Sequence, residues 1–232
     1  MRTLVFLIAV LMAATAGMAQ ADERRISVTG TGTVAAAPDV ATVTMGVSHQ
    51  ADTAQEAMDQ TSQAMAVVLE RLSGLGIDKS DIQTQNLSLH PIWNTIVNRE
   101  TQQQERELTG FAASNLVLVR VRDLGSLGQT LSAVVADGSN ELRGLNFSVS
   151  DPEPLLAQAR AEAVKDAMEK ARQLAEAAGV ELGEVVSINE HGGNGRPIMA
   201  RAEFAADAGS VPVAAGEVSY NNSVAMVFAI GE

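Results

Sequence analysis

Hydrophobic and polar residues alternate in short runs along this chain, and two longer stretches instead return to apolar residues at helical spacing. Ile26-Ser27-Val28-Thr29-Gly30 alternates and predicts a strand that breaks at Gly30-Thr31-Gly32. After Pro38-Asp39, the side chains of Ala41, Val43, Met45 and Val47 point one way and those of Thr42, Thr44 and Ser48 the other, so residues 40–48 read as a half-buried strand. Thr53-Ala54-Gln55-Glu56 is a capping box, in which the Thr hydroxyl takes a free amide at the helix start and the Glu reaches back. Ala54, Met58, Thr61, Met65, Val68 and Leu72 then share one helical face, and Gly74 and Gly76 supply the stop.

Residues 82–93 read as a strand with Leu87 and Leu89 on one face. Residues 94–108 are polar, show no apolar period, and read as a projecting loop or the tip of a long hairpin. Residues 111–122 form a strong strand through Val117, Val119 and Val121. A short helix over 124–135 ends near Asp137-Gly138, and Leu145, Phe147 and Val149 mark the next strand. Asp151-Pro152 opens the clearest element, with an acid as N-cap and Pro at the first helical position. Its expected buried stripe is Leu156, Ala159, Ala163, Ala167, Ala171, Leu174 and Ala178, and the small Ala side chains allow close approach to a sheet. A strand over 185–188, a Gly/Ala/Pro-rich loop over 192–216 and a long final strand over 218–230 complete the chain. The last strand is apolar on both faces over 224–230, which predicts a central or covered position.

This order predicts an α+β fold: a two-layer sandwich of largely antiparallel sheet with two long helices, built either as two similar β-α-β-β-like units over residues 22–122 and 123–232 or as one intertwined domain. At least one of the two long segments, 94–108 and 192–216, is expected to order against a neighbouring subunit in a closed homo-oligomer, the alternative being a disordered loop.

The first residues set the compartment. Met1-Arg2 is a positive start, residues 4–16 are an apolar run too short to span a bilayer comfortably, and Ala19-Gln20-Ala21 is a small-x-small cleavage pattern. Residues 1–21 are therefore expected to be a cleaved signal peptide, with a periplasmic mature chain that has no integral membrane segment after cleavage. The chain has no Cys, which removes a disulfide framework, a thiolate nucleophile and a Cys-based metal site. Its net charge of -12 argues against a nucleic-acid partner, which needs clustered Lys and Arg. An aromatic content of 3% leaves little for a stacking platform.

The chemistry-bearing residues are scattered. His49 ends a strand, His90 precedes Pro91, and His191 opens the Gly-rich loop, so no helical zinc-ligand spacing exists. Gly192-Gly193-Asn194-Gly195 is followed by Pro197 rather than a helix, and reads as a flexible loop, not a phosphate cradle. There is no Gly-x-Ser-x-Gly elbow. Asp39 is expected to accept backbone amides at the turn into its strand. Glu162 and Asp166 read as part of a solvated helix face. No catalytic, cofactor-binding or metal residue is assigned. The Met residues mostly fall on expected buried faces, which makes a sacrificial scavenging role inefficient.

Several segments in this order resemble the SIMPL-domain family, the YggE-like proteins of bacterial envelopes. They are Ile26-Ser27-Val28-Thr29-Gly30-Thr31-Gly32, Ala37-Pro38-Asp39-Val40-Ala41, Gly76-Ile77 with Asp81-Ile82-Gln83-Thr84, Leu89-His90-Pro91, and Ala178-Gly179-Val180-Glu181-Leu182-Gly183. The resemblance implies a two-layer α+β fold, export, ring-like or channel-like homo-oligomers in some members and an association with oxidative stress, and it supplies no catalytic residues. The expected function is that of a non-enzymatic, self-assembling scaffold or binding module in envelope or oxidative stress tolerance. The alternative is a periplasmic hydrolase or ligand-modifying enzyme with a dispersed His/carboxylate site.

Overall fold

The computed structural model describes residues 24–97, 104–191, 198–199 and 211–231. In chain order the elements are β1 (Arg25–Ala36), β2 (Val40–Ala51), α1 (Ala54–Gly74), a 3-10 turn (Lys79–Asp81), β3 (Ile82–Val97) and β4 (Gln104–Val121). There follow α2 (Leu127–Ala136), β5 (Glu141–Ser148), α3 (Glu153–Ala178), β6 (Glu181–His191), β7 (Ile198–Met199) and β8 (Val218–Gly231). One sheet has the order β3-β4-β2-β5; the other has the order β1-β8-β6, with β7 also paired to β8. The class is α+β with antiparallel sheets, as the alternating pattern predicts. The chain divides into two compact units interleaved along the sequence. Of the described residues, 24–32, 160–191 and 222–231 make up one, and 33–97, 104–159, 198–199 and 211–221 the other.

In the unit that holds α1, the inward row of β2 (Ala41, Val43, Met45, Val47) meets Val117, Val119 and Val121 of β4. Met65, Val68 and Leu72 of α1 close the core over them. Alternation along each strand puts these residues on one face, and the 3.6-residue period does the same for the helix. Thr53 caps α1 by accepting the Glu56 amide at 3.2 Å. The buried face holds Ala57, Thr61, Met65, Val68 and Leu72, whereas Ala54 and Met58, expected within it, are half-buried. Ala57, fully buried, takes the close position in the first turn. β5 would end short of the far end of β2, but the Asn140 side chain extends its ladder, accepting from the Ser48 amide and donating to the Ser48 carbonyl, both at 2.8 Å.

In the other unit, Ala163, Ala167 and Ala171 of α3 pack on Val28 of β1 and on Val224, Met226 and Phe228 of β8. Two expectations are corrected here. β1 does not break at Gly30-Thr31-Gly32 but runs through to Ala36. A Cβ on Gly30 would lie 2.0 Å from the Ala163 carbonyl oxygen and 2.5 Å from the Ala167 nitrogen, so this glycine admits a helix rather than ending a strand. The Ala stripe of α3 follows strict i+4 steps to Ala175, leaving Leu174 and Ala178 exposed. β8 is the central strand, as its two-sided apolar run predicts. Residues 192–197 and 200–210 of the Gly-rich segment lie outside the described residues; Ile198 and Met199 pair with Ser219 and Val218 of β8.

Candidate functional site

The polar groups singled out in the sequence are brought into pairs that brace the fold. Asp39, at the entry to β2, accepts the Ser150 amide and hydroxyl, each at 2.7 Å. The Ser150 hydroxyl and then its amide hold the Asp39 carboxyl below the usual carboxylate range. Asp81 accepts a two-pronged bond from Arg122, with both contacts at 2.8 Å, and that guanidinium likewise lowers its pKa. Asp166 on α3 accepts from Lys170 at 2.7 Å and from the Thr31 amide at 2.8 Å, while Lys170 donates to the Thr29 carbonyl at 3.0 Å. These groups stitch helix to strand or strand to strand.

The His residues do not converge. In the β2-β4-β3 register His49 lies opposite Ala113 and His90 opposite Ala112, so the two point to opposite faces of the sheet. His191 is an exposed residue at the end of β6, across from Ser223. Among the described residues no group of three or more His, Asp or Glu side chains is placed to hold a metal ion. The Gly192–Gly195 part of the loop is outside the described residues. Met45, Met65 and Met226 are almost fully buried, out of reach of a solution oxidant.

The surface that stands out is apolar, and it lies on the edge strand β3 and its neighbour. β2 ends at Ala51, opposite Phe111; beyond that point β3 and β4 continue as a two-stranded ribbon to Val97 and Gln104. The sequence expectation of a hairpin tip over 94–108 is met by these strands, with residues 98–103 outside the described set. Leu87, Leu89, Pro91 and Trp93 alternate onto the face that α1 covers further along, and Leu108 sits directly opposite Trp93. Leu87 is 57% exposed, Trp93 48% and Leu108 45%. Arg106 stacks over the Trp93 ring, 5.4 Å from its centroid.

A bulge places these residues. Ile92 faces Gly110 and Trp93 faces Leu108, so Thr109 has no partner across the ladder, and its hydroxyl donates to the Ile92 carbonyl at 3.2 Å. Such a bulge twists the ribbon. On the same face lie His49 Nδ1 and Asn115 Oδ1, both buried without a hydrogen-bond partner among the described residues. The sequence marks Leu87 and Leu89, but it hides the link to Trp93 and Leu108, which depends on the bulged cross-strand register.

Fold and site together define a two-sheet α+β protein with an exposed apolar strip and, among the described residues, no His, Asp or Glu cluster placed to hold a metal ion. The chain belongs to the SIMPL family, whose model, described as a protein of unknown function (DUF541), matches residues 26–228. It is 41% identical over 212 residues to the 26 kDa periplasmic immunogenic protein of Brucella melitensis, covering 89% of this chain and 84% of that one. It is 30% identical over 238 residues to the uncharacterized protein YggE of Escherichia coli K12, covering 98% and 94%. The protein is periplasmic, in keeping with the printed name of the Brucella relative. No helix among the described residues is long and apolar enough to cross a membrane.

Proposed function

We propose that this periplasmic SIMPL protein is a non-enzymatic, self-assembling scaffold or binding module, acting in envelope or oxidative stress tolerance as the family resemblance implies. The observation that carries the proposal is the strip formed by Leu87, Leu89, Trp93 and Leu108. It extends about 20 Å along β3 at the usual strand rise. A subunit that stayed alone would leave it in water, and contiguous apolar surface of this kind marks contact sites. A two-stranded ribbon is also marginal in water by itself and gains from being covered. A second copy brings the same strip, so two-fold packing is self-complementary. Pro91 lacks an amide hydrogen, and a Pro in an edge strand discourages further strand pairing. That favours contact through the strip's face rather than through the β3 edge. The pairing of Asp39 with Ser150 and of Asp81 with Arg122 further supports a structural rather than catalytic use of the polar groups.

Light scattering on the mature protein tests this reading. Trp93→Lys combined with Leu89→Lys should lower the assembled mass while circular dichroism keeps its α+β form. A wild-type protein that remains monomeric at about tens of micromolar would remove self-assembly from the proposal. Export by cleavage after Ala21 is part of the same proposal; mass measurement of envelope extract should find a mature start at or within a few residues of Asp22, and an intact precursor as the main species would sink it.

A further inference from the structure

The edge strand β6 lacks the protection that Pro91 gives β3. It pairs with β8 on one side, and among the described residues no strand lies along its other side. From Glu181 to His191 it contains no Pro, Lys or Arg, the residues that commonly blunt an edge. Two register shifts disturb its first half, but Ser187 to His191 pairs with Val227 to Ser223 without a shift. That stretch therefore keeps the regular spacing of amides and carbonyls that an added strand needs. Its side chains are also unlike those of a solvent edge. Val185 and Val186 are exposed, and Ile188 is 56% exposed.

Above this edge lies a helical ledge. Ile188 and Glu190 are across from Met226 and Val224, so they point to the face on which α3 packs. Arg160 of α3 bonds Glu190 at 2.7 Å, which places the row Arg160, Val164, Met168, spaced by four residues, on the β6 side of the helix. The opposite flank, Asp166 and Lys170, reaches β1. Val164 and Met168 are only half-buried. An exposed strand edge flanked by an apolar helix row has the geometry of a groove for strand addition, in which main-chain bonds supply affinity and side chains of alternate residues meet the ledge.

We infer that the free edge of β6, beneath the Arg160–Val164–Met168 row of α3, is a strand-addition groove for an extended segment of another polypeptide that carries basic and β-branched residues. Charge selects this occupant over a second copy. β6 carries Glu181, Glu184 and Glu190, and the whole chain has a net charge of -12. Glu190 is already engaged by Asn222 and Arg160, leaving Glu181 and Glu184 to face an incoming strand. Lys165 and Arg172 on the exposed side of α3 oppose this partly, Arg172 being tied to Glu169 at 3.6 Å. A second copy would bring to this edge only another β6, with three Glu and no Lys or Arg, and so would add like charge. This inference stands apart from the strip on β3 and fails or holds independently of it.

The test uses the mature wild-type protein and a labelled synthetic peptide of alternating Val and Thr with Lys at both ends, read by fluorescence anisotropy. Saturable binding is expected, with a loss of at least about tenfold when one central residue of the peptide is Pro, because that removes a main-chain donor. Ile188→Lys should weaken binding to a similar degree and leave the light-scattering mass unchanged. On peptide addition, amide exchange should slow within residues 187–191. Equal binding of the Pro-containing peptide, or unaltered binding by Ile188→Lys, overturns the groove. Loss of assembled mass in Ile188→Lys also overturns it, since the edge would then be filled by a second copy. If Ile188→Lys does not fold, Val186→Lys and the Pro-containing peptide on the wild type give the same decision.

Discussion

The two long helices meet their sheets in opposite ways. α1 buries Met65, Val68 and Leu72 among branched chains of β2 and β4. α3 buries Ala163, Ala167 and Ala171 and sits so close to β1 that Gly30 has no room for a methyl group. The first contact draws its stability from apolar volume removed from water. The second draws it from proximity, and proximity permits a charged clamp: Asp166 reaches the Thr31 amide and Lys170 the Thr29 carbonyl, where α1 has the neutral bond from the Thr61 hydroxyl to the Ala113 carbonyl at 3.3 Å. Removing volume should therefore be the damaging change at α1, and adding volume the damaging change at α3.

The largest effect is expected from Gly30→Ala. The new Cβ would face backbone atoms of α3, which cannot move aside without shifting the helix, and overpacking of this sort should cost more than about 3 kcal/mol. Gly74→Ala, at the end of α1, meets nothing within 4 Å and should be neutral or stabilising by up to about 1 kcal/mol. Urea denaturation of the two variants measures the difference directly. If Gly30→Ala is as stable as Gly74→Ala, α3 does not approach β1 as described. Next in size is Met65→Ala, which empties a fully enclosed position on α1 and should cost about 2–4 kcal/mol. Ala171→Gly on α3 removes only a methyl group and should cost roughly 0.5–1 kcal/mol. Reversal of that order in chemical denaturation would mean that the two helices store their stability alike.

These two contacts also show what a sequence can and cannot reveal. The stripe of α1 was readable because bulky apolar residues recur at helical spacing, and its error was confined to the first turn, where Ala57 replaces Ala54 and Met58 on the buried face. The stripe of α3 was readable from its alanines. Its end is not legible from hydrophobicity, because Leu174, the more hydrophobic residue, lies to the side of the row that the close approach selects. Gly30 is ambiguous in the sequence because a glycine in an alternating run signals either a break or a close neighbour, and the neighbour, α3, is more than a hundred residues away in the chain. The ribbon of β3 and β4 was legible only as a projection. A two-stranded arm buries little, so selection for alternation is weak, and Trp93 and Leu108 become one surface only through the bulge at Thr109. The β6 edge left no mark in the sequence beyond the lack of Pro, Lys and Arg.

The smallest predicted effect sharpens the comparison most, because it concerns the charged clamp between the close helix and β1. Lys170, and then the Thr31 amide, hold the Asp166 carboxyl below the usual carboxylate range. A carboxyl with a depressed folded pKa contributes stability that is fully present above its unfolded value, about 4, and is lost as pH falls through the folded value. Asp166→Asn should therefore lower the melting temperature at neutral pH, and the gap between variant and wild type should narrow as pH falls below about 4. The side chain is 34% exposed, so solvent screens the pair and the cost should stay under about 1 kcal/mol. The Thr31 amide reports the same event locally, because it loses its charged acceptor in the variant and should exchange faster with solvent. An exchange rate at Thr31 that is the same in both proteins would show that the clamp does not hold β1 to α3, and that the alanine row alone keeps the helix in place.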